Sequence, residues 1–373
     1  MARSGSKARH AMSTMSRVNL ENLIVALCRK STQKVLTWGF FGIFLMHWVI
    51  KFEQVKEHGN FQELDIPSDQ ETLRKYPPFG IQTVEEFPDG GPYKIPPVLH
   101  QTWKDTQIPR KLISWVKSWV TINPEWEYYL WTDQTARDLI NERHPKFLPV
   151  YDSYSENIRR ADSLRYVVLY EFGGVYADMD VECLKPLDPM LRKYSCFMPQ
   201  EPYEHPVLDG NFEILVINAV MGCRAKHPFM KLIIDQLPFF SHMWNVLDST
   251  GPYFVTQMFN RYSRTVKSLK STHEKSVYLA PAEYFFPTVD PIKFFWFRAQ
   301  CGKFGKLSYI QKRACVNFKA YGAKRKPLPY SFTDHHWVHT YLEFRLSLKG
   351  PVDVHEIVPK VKFYRLVNAS LSS

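Results

Sequence analysis

An α/β fold with a mostly parallel central sheet is predicted for the chain from Val98 onward, on three observations. Short apolar segments alternate in order with amphipathic helical ones, the pattern of strands joined by crossover helices. One helical stretch closes on Gly173-Gly174, a pair suited to a left-handed helix stop. The strand after it, "VYADMD", carries Asp178 and Asp180 to its carboxyl end, where open α/β sheets bind ligands.

The elements follow in order. "PVLHQTWK" reads as a short strand ending in polar and aromatic residues. In "RKLISWVKSWVTIN", Leu112, Trp115, Val116 and Trp119 form a helical stripe closed by Asn123-Pro124. "WEYYLWTD" is strand-like, and "DQTARDLINERH" is a helix capped by Thr132 or Asp133. Ile158, Ala161, Leu164, Val168 and Leu169 make the apolar stripe of the next helix. Side chains then alternate along the strand from Val175: Val175, Ala177 and Met179 one way, Tyr176, Asp178 and Asp180 the other.

Composition bounds the rest. With 373 residues, 45% of them hydrophobic, the chain is long enough for one large domain and is not disordered in character. The net charge of +11 raises the question of nucleic acid, but about six of those charges fall in residues 1–34, and no nucleic-acid signature accompanies the others. Val35 to Ile50 then run without a charge between Lys34 and Lys51. That stretch is short for a span but bounded by lysines that can snorkel, and it reads as an uncleaved signal anchor ahead of a cleaved signal peptide or a core helix. The expected organisation is a basic cytosolic leader (1–34), an anchor (35–52), a Pro/Gly-punctuated stem (53–94) and a luminal catalytic domain (95–373). Five of the six cysteines are then luminal, so at most two disulfides form within the chain, with connectivity open; none has the CxxC spacing of a zinc site. Asn368-Ala369-Ser370 is an N-glycosylation sequon.

Two carboxylates at i, i+2 can face one hard divalent cation, Mn²⁺ or Mg²⁺, which would bridge a diphosphate and stabilise its departure. Alone, Asp-x-Asp is a weak signal. Asp162 and Arg165, one helical turn apart, are either an intrahelical ion pair or a pair that holds a ribose, sugar or phosphate. Trp103 is either core or a stacking surface for a nucleobase.

"VLHQTWK", "NPEWEYYLWTD", "RRADSLRYVVLYEFGGVYADMDVECLKPLD" and "INAVMGCRAKHPFM" together resemble glycosyltransferase family 32. This is the DXD-containing group of the fungal initiating mannosyltransferases and the inositol phosphorylceramide mannosyltransferases. The similarity runs in order over roughly residues 95 to 345. It implies a GT-A type fold, retaining transfer and a divalent cation. It makes Trp103 the base-stacking residue, sets Asp162 and Arg165 on the donor's ribose and sugar, and lines the donor pocket with Tyr176. Asp178 is implied to meet ribose or metal-bound water and Asp180 to bind the metal directly. Asn218 is placed near the transferred sugar, its bland alternative being the cap of a turn. In "DHHWVHTY", His336 and Trp337 fit the family's His-rich closing stretch. His339, Thr340 and Tyr341 replace the usual Gly-Ser-Trp; Thr340 keeps a hydroxyl for the donor. Which histidine approaches the metal stays open, as does an ordinary surface role for all three.

The resulting expectation is a type II Golgi or ER membrane enzyme that transfers a hexose, first from GDP-mannose, to a glycolipid such as inositol phosphorylceramide or to a glycan. UDP-galactose or UDP-N-acetylglucosamine is the alternative donor, and a non-catalytic sugar- or nucleotide-binding subunit the alternative class. "YFFPTVDPIKFFWF", too short and Pro-broken for a span, reads as core packing before a lipid-facing surface.

Overall fold

In the computed structural model, residues 66–67, 69–78, 80–81, 83–268, 273–321, 328–339 and 350–365 are described. They all belong to one compact unit, Phe61–Ser373. The expected leader and anchor, Thr340 and Asn368 lie outside the described residues. Among those described, no helix is long and apolar enough to cross a membrane.

A six-stranded sheet organises the unit. Its strands are β1 (Val98–Thr102), β3 (Glu127–Trp131), β4 (Gly174–Ala177), β6 (Cys196–Pro199), β7 (Val220–Cys223) and β8 (Tyr278–Ala280). The order is β3-β1-β4-β7-β6-β8, and every strand but β7 runs the same way. Two smaller antiparallel pairs stand beside it: β2 (Gln107–Ile108) with β10 (Val352–Asp353), and β5 (Val181–Cys183) with β9 (Thr333–His335).

Alternation along the strands feeds two cores. Leu99, Leu130, Val175, Ala177, Phe197 and Val220 face one, closed by Leu112, Val116 and Trp119 of helix Arg110–Ile122. Trp131, Tyr176, Met198 and Met221 face the other, closed by helices Asp133–Arg143, Asn157–Phe172 and Pro228–Phe240. Thr132 proves to be the cap of Asp133–Arg143, in a reciprocal capping box with Thr135. Helix Asn157–Phe172 departs from its expected single stripe: residues 162–169 are buried on every side, polar ones included.

The stem also differs from expectation. Ile66 and Tyr76 are buried with Tyr203, Phe297 and Phe318 in a third cluster, each such burial contributing about 1.5–3 kcal/mol. The Glu85 amide donates to the Tyr284 hydroxyl (2.8 Å), and its carboxylate meets Lys193 and Tyr278 (2.5 Å each). Polar, Pro-rich texture conceals this strap because its few apolar residues have no periodicity. Cysteine connectivity resolves as Cys196–Cys223, between neighbouring β6 and β7, and Cys301–Cys315; Cys183 is a buried thiol.

The turn from helix to β4 positions the site. Gly173 and Gly174 have φ of 69° and 106°, and a Cβ on Gly174 would stand 2.5 Å from the Val98 carbonyl oxygen. Only glycine fits so tight an entry between β1 and β7. His100 ties the turn down: its Nδ1 accepts from Trp131 Nε1 (3.1 Å), so its Nε2 carries the proton and donates to the Gly173 carbonyl (2.9 Å). Burial lowers the His100 pKa from 6.5 to about 4. Below pH 6.5 the unfolded chain takes up a proton that folded His100 refuses, so stability present at pH 7 is lost as pH falls toward 4, by on the order of 3 kcal/mol. His100→Gln keeps a donor for Gly173 and removes this titration. Denaturant midpoints between pH 7 and pH 4 should fall less for the variant than for the parent; equal slopes would rule out His100 as the source.

Candidate active site

Helix Asn157–Phe172 delivers Asp162, Arg165 and Tyr166 to the carboxyl edge of β4, and the chain turns there through Asp178 and Asp180 into β5. The turn is held by its backbone. The Asp178 amide donates to the Ala219 carbonyl (2.8 Å), and Gln101 Nε2, oriented by the Tyr128 hydroxyl, reaches the carbonyls of Ala177 and Asp178.

Arg165 sits at the centre of one buried network. Its guanidinium contacts Asp162 Oδ1 (3.0 Å) and Asp178 Oδ1 (3.3 Å), donates to the Asn218 carbonyl (2.7 Å), and lies over the Tyr176 ring at 4.6 Å. The Tyr176 hydroxyl donates to Asp178 Oδ1 (2.8 Å). Asp162 is met on both oxygens: Arg165 and Asn218 Nδ2 (3.0 Å) at Oδ1, and the Thr250 hydroxyl (2.8 Å) at Oδ2. Asn218 also donates to the Tyr166 hydroxyl (2.8 Å), which donates to the Thr250 carbonyl (2.6 Å). The ion pair expected as the bland reading of Asp162 and Arg165 is therefore present, but as part of a network that supports Asp178. Asn218 belongs to that network rather than capping a turn.

On the far side of Asp178 stands a second group. One ligand atom each from Asp178, Asp180 and His335 lies within 4.8 Å of the others. His335 Nε2 is 3.2 Å from Asp180 Oδ1, and the Val338 amide donates to Oδ2 (2.8 Å). Burial alone would raise the Asp180 pKa, but the His335 imidazole and the Val338 amide hold it at about 2. Burial opposes charge on His335 as well, yet Asp180 and Asp178 keep its pKa above the ordinary value. Burial raises that of Asp178, with Arg165 opposing.

His335, not His336, thus joins the aspartates. β9 pairs with β5 so that His335 lies opposite Val181, next to Asp180, and the His336 amide donates to the Asp180 carbonyl (2.9 Å). Strand alternation turns the His336 ring away, onto Glu182 (2.9 Å) and flat against Trp115 (4.1 Å). Trp337 backs the site, packed on His335 with its indole donating to the Thr288 carbonyl (3.2 Å). Trp103 lies one strand over at the same sheet edge, half-buried, its indole donating to the Gln107 carbonyl (3.1 Å). Asp162, Arg165, Tyr176, Asp178, Asp180 and Asn218 come together; Trp103 and His336 stand apart from them. Reading "DHHWVH" with a period of two would have separated His335 from His336, but not told which faced Asp180.

The donor set suits a hard divalent cation. It is two carboxylates and an imidazole without a thiolate, and His335 Nδ1 is buried with no hydrogen-bond partner.

Part of the chain is similar to known glycosyltransferases. Residues 109–197 match the family described as glycosyltransferase sugar-binding region containing DXD motif. Inositol phosphoceramide mannosyltransferase 3 of Schizosaccharomyces pombe is 38% identical over 175 residues, 46% of each chain. A mannosyl phosphorylinositol ceramide synthase of Saccharomyces cerevisiae is 30% identical, covering 56% of this chain and 53% of its own. An initiation-specific alpha-1,6-mannosyltransferase of Candida albicans is 31% identical over 36% of each. The chain spans about half the length of the first of these relatives. Among solved structures, PaToxG glycosyltransferase is similar with a TM-score of 0.37 and 18% identity, over 47% of this chain and 72% of its own. In its sequence motifs and over the regions shared with these relatives, the chain is similar to the DXD-containing glycosyltransferases.

Proposed function

We propose that the chain is a retaining, metal-dependent glycosyltransferase of GT-A type that moves a hexose, mannose from GDP-mannose in the first instance, to an inositol phosphorylceramide-like glycolipid or a glycan. One observation carries the reading: Asp178, Asp180 and His335 converge at the carboxyl edge of the sheet, with Arg165 buried behind them. The relatives' names supply mannose and the lipid acceptor.

A bound Mn²⁺ or Mg²⁺ would neutralise the donor diphosphate and stabilise it as a leaving group. Asp180 and His335 would hold that cation, with Asp178 beside it. Arg165 and Tyr176 fix the Asp178 carboxylate in one orientation. Asp162 and Asn218 act through Arg165, since the Asp162 oxygens already have protein partners. That saturation also supports front-face transfer: Asp162 is in no position to serve as a covalent nucleophile. Trp103, at the same edge, is assigned to the nucleobase. The two disulfides fit an oxidising compartment, consistent with a Golgi or ER lumen behind an anchor at 35–52.

The purified chain, given a panel of GDP- and UDP-sugars with Mn²⁺, should hydrolyse GDP-mannose. Preference for a UDP-sugar would move the reading to the alternative donors, and inertness toward all of them to a non-catalytic binding role. Asp180→Asn keeps an oxygen for the Val338 amide but removes the charge a hard cation needs. Transfer should fall by several orders of magnitude and the thermal stabilisation given by Mn²⁺ plus GDP should vanish, while the metal-free melt falls modestly because the charge that His335 and the Val338 amide hold is gone. Near-normal transfer would exclude Asp180 as a metal ligand. Trp103→Ala should weaken nucleotide binding by about 1–3 kcal/mol in a calorimetric titration, the usual contribution of an aromatic–base stack. Unchanged binding of GDP and UDP would return Trp103 to the core.

A further inference from the structure

We infer that His339 is a positioning residue for the Asp180 loop, tethered through Asp290 to a buried Glu201–His205 pair. This rests on the reading of Asp178, Asp180 and His335 as a metal centre and extends it to the segment that closes over it.

Two residues without glycine's freedom, Trp337 and His339, adopt φ of 50° and 53°. That left-handed conformation is disfavoured for both and persists where surrounding contacts over-determine it. The residue they flank, Val338, turns its amide onto Asp180 Oδ2 at 2.8 Å. The contacts come from segment 286–290, within the aromatic stretch "YFFPTVDPIKFFWF". Thr288 donates to Asp334 Oδ1 (2.7 Å), its carbonyl accepts from Trp337, and Asp290 Oδ2 meets His339 Nε2 at 3.0 Å. Asp290 is in turn fixed: its amide donates to His205 Nε2 (3.1 Å), while His205 Nδ1 meets Glu201 (2.8 Å). His205 is fully buried, and Trp337 packs edge-on against it. Every link from Glu201 to Val338 is thus a hydrogen bond or a run of covalent bonds within one residue or between neighbours. The aromatic stretch divides accordingly: Tyr284, Phe285, Phe286 and Phe297 are core, its middle splints the closing segment, and Phe295 and Trp296 are exposed.

The side chain of His339 is 18% exposed, so substitutions there need not disturb the core, whereas Asp290 is 2% exposed and its loss threatens folding. The test compares His339→Asn, His339→Gly, His339→Ala and His339→Val in the full chain. Asparagine and glycine tolerate positive φ, alanine poorly and valine least. Amide hydrogen exchange of the peptide containing Val338, measured without metal, reads the tether itself. Exchange should exceed the parent's in all four, since each loses the Asp290 contact, and should rise in the order Asn, Gly, Ala, Val. Free Mn²⁺, followed by its electron paramagnetic resonance signal in the presence of GDP, reads the consequence. The alanine and valine variants should lose about tenfold or more in Mn²⁺ affinity, the usual effect of removing an outer-shell support, with asparagine and glycine closer to the parent. Val338 exchange equal to the parent's in all four variants would overturn the inference. Variants that show the exchange order beside a parent that binds no Mn²⁺ would sink the metal reading and leave the tether standing.

Discussion

A guanidinium with only 3% of its side chain exposed is the constraint on which the site depends. An arginine taken from water is tolerable only if its charge and donors are met, and breaking such a buried pair costs about 3–5 kcal/mol. Arg165 is met by Asp162 from its own helix, by Asp178 from the end of β4 and by the Asn218 carbonyl ahead of β7. The helix, the strand end 13 residues after Arg165 and the approach to β7 53 residues after it are drawn to one point. The same requirement explains why helix Asn157–Phe172 is buried around its whole circumference where its polar residues lie, and why two glycines carry the chain straight from that helix into the middle of the sheet.

Charge then divides across the Asp178–Asp180 turn. Asp178 leans toward Arg165 and Tyr176; Asp180 leans toward His335 and the Val338 amide. Two carboxylates this close raise each other's pKa. Separate cationic partners on opposite sides oppose that rise: His335 and the Val338 amide hold Asp180 at about 2, while Arg165 offsets part of the rise that burial and Asp180 impose on Asp178. The arrangement also gives the two residues different parts: Asp178 is braced by the helix layer, and Asp180 by a segment of the chain more than 150 residues later.

Local pattern made much of this legible. Alternation in "VYADMD" separated the two faces of β4, and the Gly173-Gly174 stop, the stripe of helix Arg110–Ile122 and the aspartates at a strand end all follow from short-range rules. What escaped was set by long-range pairing. The β5–β9 register decides that His335 and not His336 meets Asp180, and no periodicity within either segment contains that information. Asn218 and Thr250 became partners of Asp162 only once helix, sheet and loop were assembled. The stem read as loose because Ile66, Tyr76 and Glu85 find their partners in helices and strands more than a hundred residues away. His339 stood out in sequence as a replacement for glycine, but the aspartate that holds it lay in a stretch read for its aromatics.

The central claim is that Asp178, Asp180 and His335 form one cation site. The most direct measurement is anomalous scattering at the manganese edge from crystals of the chain grown with Mn²⁺ and GDP. The account predicts a peak in contact with Asp180 and His335, on the side of Asp178 away from Arg165. A peak held instead by Glu182 and His336, the neighbouring acid–imidazole pair, or one outside contact with Asp180, would contradict it.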